Sequence, residues 1–502
     1  MTTIVDRLLS QARTLPAATA IVSDEGALTW GELADLSLRL SGALGARGIA
    51  RGDHVALLCS NRPAFLVAWF ALANRGAVTV SMNTGLVADG LRYALTQSDA
   101  GALLVERALW EEKRADLEPV MEGCDLILFD DEEELFALAR AAEPDAPFEG
   151  AGSDPCTLIY TSGTTGPPKG VVNSHRAYLA CGEHTVRLLD LTPDDRIMVF
   201  LPLFHTNPQM YAVMSALTVG CSLALRPKLS VSRFFEDARR LECTGFTYVG
   251  TVLAMLASRV DGARRDHAMR FCIGGGAPRE VWRAVEDRFG VKVHELYGMT
   301  EIGGWVTGNS RGESRFGTCG RARGDVEVAI LDAEDRPVPP GTRGEITVRP
   351  REPGVLLSGY YRNPEASWAA SRNLWFHTGD AGSLDGGGYL TFLGRIKEII
   401  RRGGENISPA ELETALLAHP DIEDAAVVGV PDPIWGEEIK AVVVASKPLD
   451  PGAVRNFLDG RVPAFMLPRF VQFAAMIPKT ETQKIQRHRL REMQGDLHDL
   501  GA

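Results

Sequence analysis

The stretch Thr161-Ser162-Gly163-Thr164-Thr165-Gly166-Pro167-Pro168-Lys169-Gly170 decides how the rest of the chain is read. It follows the apolar segment Cys156 to Tyr160, which predicts a strand. Its glycines let backbone N–H groups turn inward without Cβ obstruction. The hydroxyls and Lys169 add donors and positive charge, which is chemistry for a polyphosphate. The usual phosphate loop has four residues between its first glycine and a Gly-Lys-Ser/Thr end. Counted from Gly163, the place of that second glycine holds Pro168, so this is a different phosphate loop.

Further motifs lie downstream. Gly274-Gly275-Gly276-Ala277-Pro278 follows Phe271-Cys272-Ile273 and fails as a dinucleotide fingerprint, because Arg279 occupies the third glycine position. Tyr297-Gly298-Met299-Thr300-Glu301 comes next, then Trp375-Phe376-His377-Thr378-Gly379-Asp380. Gly394-Arg395-Ile396-Lys397-Glu398 runs on to Gly403-Gly404-Glu405-Asn406-Ile407, and Lys479-Thr480-Glu481-Thr482-Gln483-Lys484 closes the series. With the phosphate loop, these ordered motifs resemble the adenylate-forming superfamily of acyl-CoA synthetases, peptide-synthetase adenylation domains and luciferases. The resemblance covers essentially the whole chain.

Composition bounds the answer independently. A chain of 502 residues exceeds one ordinary core and predicts at least two domains. Its 53 basic and 65 acidic side chains give a net charge of −12, which argues against a general nucleic-acid binder. Eight scattered cysteines without a C-x-x-C pair predict small core residues in a reducing compartment, not a disulfide scaffold or zinc site. The start, Met1-Thr2-Thr3-Ile4-Val5-Asp6-Arg7, lacks the basic and apolar parts of a signal peptide. No apolar run is long enough to span a bilayer. The expectation is a cytoplasmic protein with no membrane or nucleic-acid partner.

Along the chain, apolar residues at helical spacing from Trp30 to Leu44, and a helix from Pro63 to Asn74 that ends before Gly76, alternate with short apolar strands at His54 to Cys59 and Val78 to Met82. That alternation predicts an α/β fold with largely parallel sheets. From about Gly324 to Val348 the pattern turns strand-rich, which predicts a small β subdomain. After Gly394-Arg395 a compact α+β unit follows: helix Pro409 to Ala418, strands Ile422 to Val430 and Ile439 to Ser446, helix Gly452 to Arg461. The expected division is therefore 1–394 and 395–502, the second domain small and mobile.

The resemblance implies an acyl-CoA ligase that uses ATP, Mg²⁺ and coenzyme A. A carboxylate attacks the α-phosphorus, pyrophosphate leaves, and a thiol then displaces AMP from the acyl-adenylate. On that resemblance Thr161, Ser162, Gly163, Thr164, Thr165 and Lys169 hold the β- and γ-phosphates. Thr300 contacts the α-phosphate and Glu301 holds the metal. Gly275, Gly276, Ala277, Pro278, Glu295, Tyr297 and Gly298 frame the nucleotide, with Tyr297 stacking on adenine. Asp380 accepts the ribose hydroxyls and Arg395 adds a ribose or phosphate contact.

On the same resemblance His205 would gate an acyl pocket lined by Asn207, Met210, Tyr248, Gly250, Gly275, Gly304 and Trp305, the tryptophan suited to capping a bulky or polycyclic acid. A plain core or capping histidine is the competing reading of His205. Lys397 marks the hinge about which the small domain swings, with Gly394 beside it. Gly403 and Gly404 then face the pantetheine tunnel, and Arg401 and Arg402 meet the CoA phosphates unless they form only a solvated basic face.

Lys484 matches the lysine that bridges the attacking carboxylate and the α-phosphate. The residue before it is usually glycine in the family and is Gln483 here. If that position needs φ > 0, a Cβ costs about 1 kcal/mol; in extended backbone it is tolerated. The departure leaves open whether adenylation is intact or whether the chain mainly thioesterifies an acyl-adenylate supplied by a separate adenylating enzyme. The same motifs also suit a stand-alone adenylating enzyme that loads a carrier-protein thiol, or a non-catalytic nucleotide-binding relative. The acid's identity and a homodimeric state, common in the family, are not legible from these residues.

Overall fold

Local signals start the helices where the sequence places them. Thr29 caps Trp30–Ala46 in a reciprocal capping box with Glu32, and Pro63 opens Pro63–Asn74 at a position that needs no N–H donor. Every residue of Pro63–Asn74 is buried, so the helix is apolar all round and lies inside the core. The computed structural model describes residues 2–161, 167–402, 405–479 and 485–501. They divide into two compact units, Met1–Val328 with Val348–Phe376, and Ala329–Thr347 with His377–Ala502.

The first unit contains two large sheets. One runs in the order Gly359–Tyr360, Lys169–Ser174, Pro155–Thr161, Val78–Ser81, His54–Leu58, Ala102–Glu106, Asp125–Phe129. Its central strands are parallel, as the alternation of helix and apolar strand predicts, while Pro155–Thr161 and Lys169–Ser174 form an antiparallel hairpin. In the second sheet Phe271–Gly275 runs parallel between Gly245–Val249 and Lys292–Met299. Gly304–Gly308 then folds back antiparallel on Lys292–Met299.

The second unit carries most of a four-stranded sheet in the order Val326–Leu331, Gly344–Pro350, Phe376–Leu384, Leu390–Arg395. It also holds the α+β motif in which Ile422–Asp432 pairs antiparallel with Gly436–Ala445, which runs parallel to Phe470–Phe473. The compact units part at Phe376/His377, ahead of the Gly394-Arg395 boundary expected from sequence, because the β-ladder Asp380 to Leu384 with Leu390 to Arg395 ties those strands together. Seven of the eight cysteines are buried, Cys124 is partly so, and all are free thiols. Among the described residues no helix is long and apolar enough to cross a membrane.

Candidate active site

The phosphate loop connects two antiparallel strands, with Thr161 opposite Lys169 in register. No helix starts at its end, which separates it physically from loops that set phosphate on a helix N-terminus. Ser162, Gly163, Thr164 and Thr165 lie outside the described residues, as do Gly403, Gly404, Gln483 and Lys484. The two hairpin ends are described. The Lys169 ammonium stands 4.8 Å from the centre of the Tyr360 ring.

Facing this hairpin is the turn that ends strand Lys292–Met299. Thr300–Ile302 makes one 3₁₀ turn and Gly303, at φ 68°, reverses the chain into Gly304–Gly308. A Cβ on Gly298 would lie 2.2 Å from the Gly304 carbonyl oxygen, so the tight pairing of the two strands needs glycine there. The Thr161 hydroxyl donates to Glu301 Oε1 at 3.0 Å, and the Tyr360 hydroxyl reaches the same oxygen at 3.4 Å. Beside them the Thr206 and Thr300 hydroxyls are 2.8 Å apart. Glu301 is buried, so one carboxylate, four hydroxyl side chains and a lysine hairpin meet where the two sheets come together.

Glu295, expected to frame the nucleotide, is held by its protein neighbours. It accepts the Tyr248 hydroxyl at 2.5 Å, the Gly276 N–H at 2.6 Å and the Ala277 N–H at 3.2 Å. It therefore clamps the backbone that leads to Pro278. Burial pushes its carboxyl up to about 7, against the opposing pull of these hydrogen bonds. Tyr297 is buried.

Several of the residues expected to line the acyl pocket are neighbours in pairs. Asn207 Nδ2 donates to the Tyr248 carbonyl at 3.0 Å, and a Cβ on Gly250 would strike the Gly276 carbonyl. Met210 lies in the π-helical turn Pro208–Val213, a conformation frequent at functional sites, with its sulfur 3.0 Å from where a Gly304 Cβ would stand. His205 ends a turn held by Asn61, whose side chain accepts the Leu203 N–H at 2.7 Å and donates to the Leu201 carbonyl at 2.8 Å.

Trp305, expected to line the acyl pocket, is an interior side chain. It is 2% exposed and its indole N–H donates to Thr185 at 2.8 Å, so it is packed inside the protein. Thr206, Tyr360 and Asn61 belong to the site and lie outside the sequence motifs. Thr206 had the signal of adjacency to His205; Tyr360 and Asn61 reach the site only through sheet pairing and burial.

In the second unit Asp380 and Arg395 are strand partners and form an ion pair at 2.9 Å. Glu345 accepts the Gly379 N–H at 3.0 Å and pairs with His377 Nδ1 at 2.8 Å, which fixes the turn that presents Asp380. Lys397 lies exposed in the turn Ile396–Glu398, just after Gly394 at φ 105°, and Arg487 donates to Glu398 at 2.9 Å. Arg402 is committed elsewhere: it pairs at 2.6 Å with Glu438, which is fully buried, and donates to the Phe465 carbonyl. A buried carboxylate needs that charge. Arg401 is exposed.

The AMP-binding enzyme family matches residues 8–361, and the AMP-binding enzyme C-terminal domain matches residues 411–484. This chain belongs to the AMP-binding enzyme family. It is 34% identical over 477 residues to a sulfoacetate–CoA ligase of Cupriavidus necator, covering 92% of each chain. It is 34% identical over 493 residues to an indoleacetate–CoA ligase of Aromatoleum aromaticum, covering 95% of each. Among solved structures, ATP-bound MatB of Rhodopseudomonas palustris superposes with a TM-score of 0.90 at 28% identity over 98% of both chains. The chain is an AMP-forming enzyme of the acid–CoA ligase branch.

Proposed function

We propose that the enzyme converts a small or medium organic acid to its CoA thioester through an acyl-adenylate, using ATP and Mg²⁺ in the cytoplasm. The observation that carries this reading is the meeting of the Thr161/Lys169 hairpin with Thr300 and Glu301. A substrate carboxylate oxygen attacks the α-phosphorus, the bond to the bridging oxygen breaks, and pyrophosphate leaves with the electron pair. No protein nucleophile is needed; positioning and charge neutralisation do the catalysis. Lys169 and the loop hold the outgoing phosphates, Thr300 contacts the α-phosphate, and Lys484 bridges it to the carboxylate. Asp380 holds the ribose.

A single buried carboxylate among hydroxyls fits Mg²⁺, which takes one or two carboxylates and completes its shell with phosphate oxygens and water. Glu301 would hold that ion, and the ion would neutralise triphosphate charge. After the small domain swings about Lys397, the CoA thiolate attacks the acyl carbon and AMP departs.

The relatives are named for acids as unlike as sulfoacetate and indoleacetate, so kinship alone selects no acid. The packed Trp305 favours a short one. Gln483 beside Lys484 favours a slower adenylation than thioester-forming step, supported by the sequence Thr482-Gln483-Lys484. Incubating the enzyme with ATP, Mg²⁺, CoA and a graded panel of acids should release AMP and pyrophosphate with thioester. Release of ADP and inorganic phosphate in their place would overturn the mechanism.

A further inference from the structure

Behind the Glu301 turn lies an ionic group that the mechanism above does not use. Arg323 and Asp325 have side chains 0% and 1% exposed and pair at 2.9 Å. His184 Nε2 stands 3.2 Å from the same Asp325 oxygen. The two terminal nitrogens of Arg323 donate to different loops, to the Gly303 carbonyl at 3.1 Å and the Val355 carbonyl at 3.4 Å. Its guanidinium also lies 5.8 Å from the centre of the Trp305 ring, which His184 meets edge-on at 6.4 Å.

Both carbonyls bear on the site. Gly303 is two residues after Glu301, and a Cβ there would lie 2.1 Å from the Val355 oxygen. Val355 is two residues before Leu357, whose N–H donates to the Glu301 carbonyl at 3.0 Å. Arg323 therefore closes a ring: Glu301, Gly303, Arg323, Val355, Leu357 and back to Glu301. A buried ion pair stabilises a core little better than apolar residues of the same volume, so stability alone does not account for this one. A planar fork that satisfies two carbonyls on two loops does something apolar residues cannot.

We propose that Arg323 is a positioning residue. By tying the Gly303 and Val355 carbonyls, and packing on Trp305, it orients the Glu301 carboxylate for the nucleotide and sets the acyl-pocket wall, coupling adenylation to acid selection. The proposal rests on the functional reading above.

Arg323→Lys keeps the charge beside Asp325 but cannot reach both carbonyls. A displacement of Glu301 by about 1 Å costs on the order of a hundredfold in rate. The expected result is a tenfold to hundredfold fall in kcat for acid-dependent pyrophosphate exchange, a raised KM for the acid, and a changed ratio of kcat/KM between a short and a longer acid. At saturating synthetic acyl-adenylate, kcat for thioester formation should change less than about threefold, because that step does not need the triphosphate that Glu301 serves. If the lysine variant does not fold, the volume-matched pair Arg323→Met with Asp325→Asn is measured in the same way.

Unchanged exchange and acid ratio would overturn the proposal. So would an equal fall of both half-reactions, or loss of the folded state in both variants, since the pair would then serve the core alone. A wild-type enzyme that forms no adenylate from any acid would instead defeat the functional reading, which separates the two failures.

Discussion

Replacing Glu295 by Gln tests whether the site's backbone is clamped by a carboxyl that titrates near neutrality. The side chain is buried against Tyr248 and the Gly276 and Ala277 N–H groups, and its carboxyl is pushed up to about 7 from an ordinary 4.5. A folded-state value above the unfolded one means the native protein binds the extra proton between those two pH values. Stability from this group is then fully present below about 4.5 and is lost as pH rises through about 7. The gap of about 2.5 pH units, at 1.36 kcal/mol each, corresponds to about 3 kcal/mol.

Glu295→Gln removes the titration. It also places an amide where a carboxylate accepts two N–H bonds, at a pH-independent cost of about 1–3 kcal/mol. Chemical denaturation of both proteins at several pH values from about 5 to about 8 separates the two effects. The variant should be the less stable at acid pH, and its deficit should shrink by about 3 kcal/mol toward alkaline pH. Parallel stability curves would refute the reasoning, because Glu295 would then be ionised in the fold throughout.

Two further substitutions test the nucleotide and adenylation readings. Asp380→Ala should weaken ATP and a non-hydrolysable acyl-adenylate together, by about 3 kcal/mol for two charge-assisted hydrogen bonds, measured by titration calorimetry; unchanged affinity for the adenylate analogue would remove Asp380 from the ribose. Gln483→Gly should speed pyrophosphate exchange into ATP with little effect on thioester formation from supplied acyl-adenylate. A glycine variant no faster than a wild type of ordinary exchange rate would show that Gln483 is merely tolerated.

The residues from Thr161 to Gly170 determined by themselves that this chain handles a polyphosphate, because inward N–H groups, hydroxyls and a cation in one short segment need no distant partner to carry that meaning. The α/β layering was legible for a similar reason: periodicities of 3.6 and 2 are local, and Trp30–Ala46 forms as its spacing predicts. Tertiary structure decided which chemistry-bearing side chains act and which are occupied. Glu295 reads as a ligand-facing acid until strand pairing sets Tyr248 and Gly276 against it. Trp305 reads as an open cap until Thr185, His184 and Arg323 close around it. Arg402 reads as a free cation until it meets buried Glu438. Sheet order does not follow chain order, so a local pattern specifies that a residue is buried but not which group it is buried against, and that partner sets its charge, its hydrogen bonds and its role.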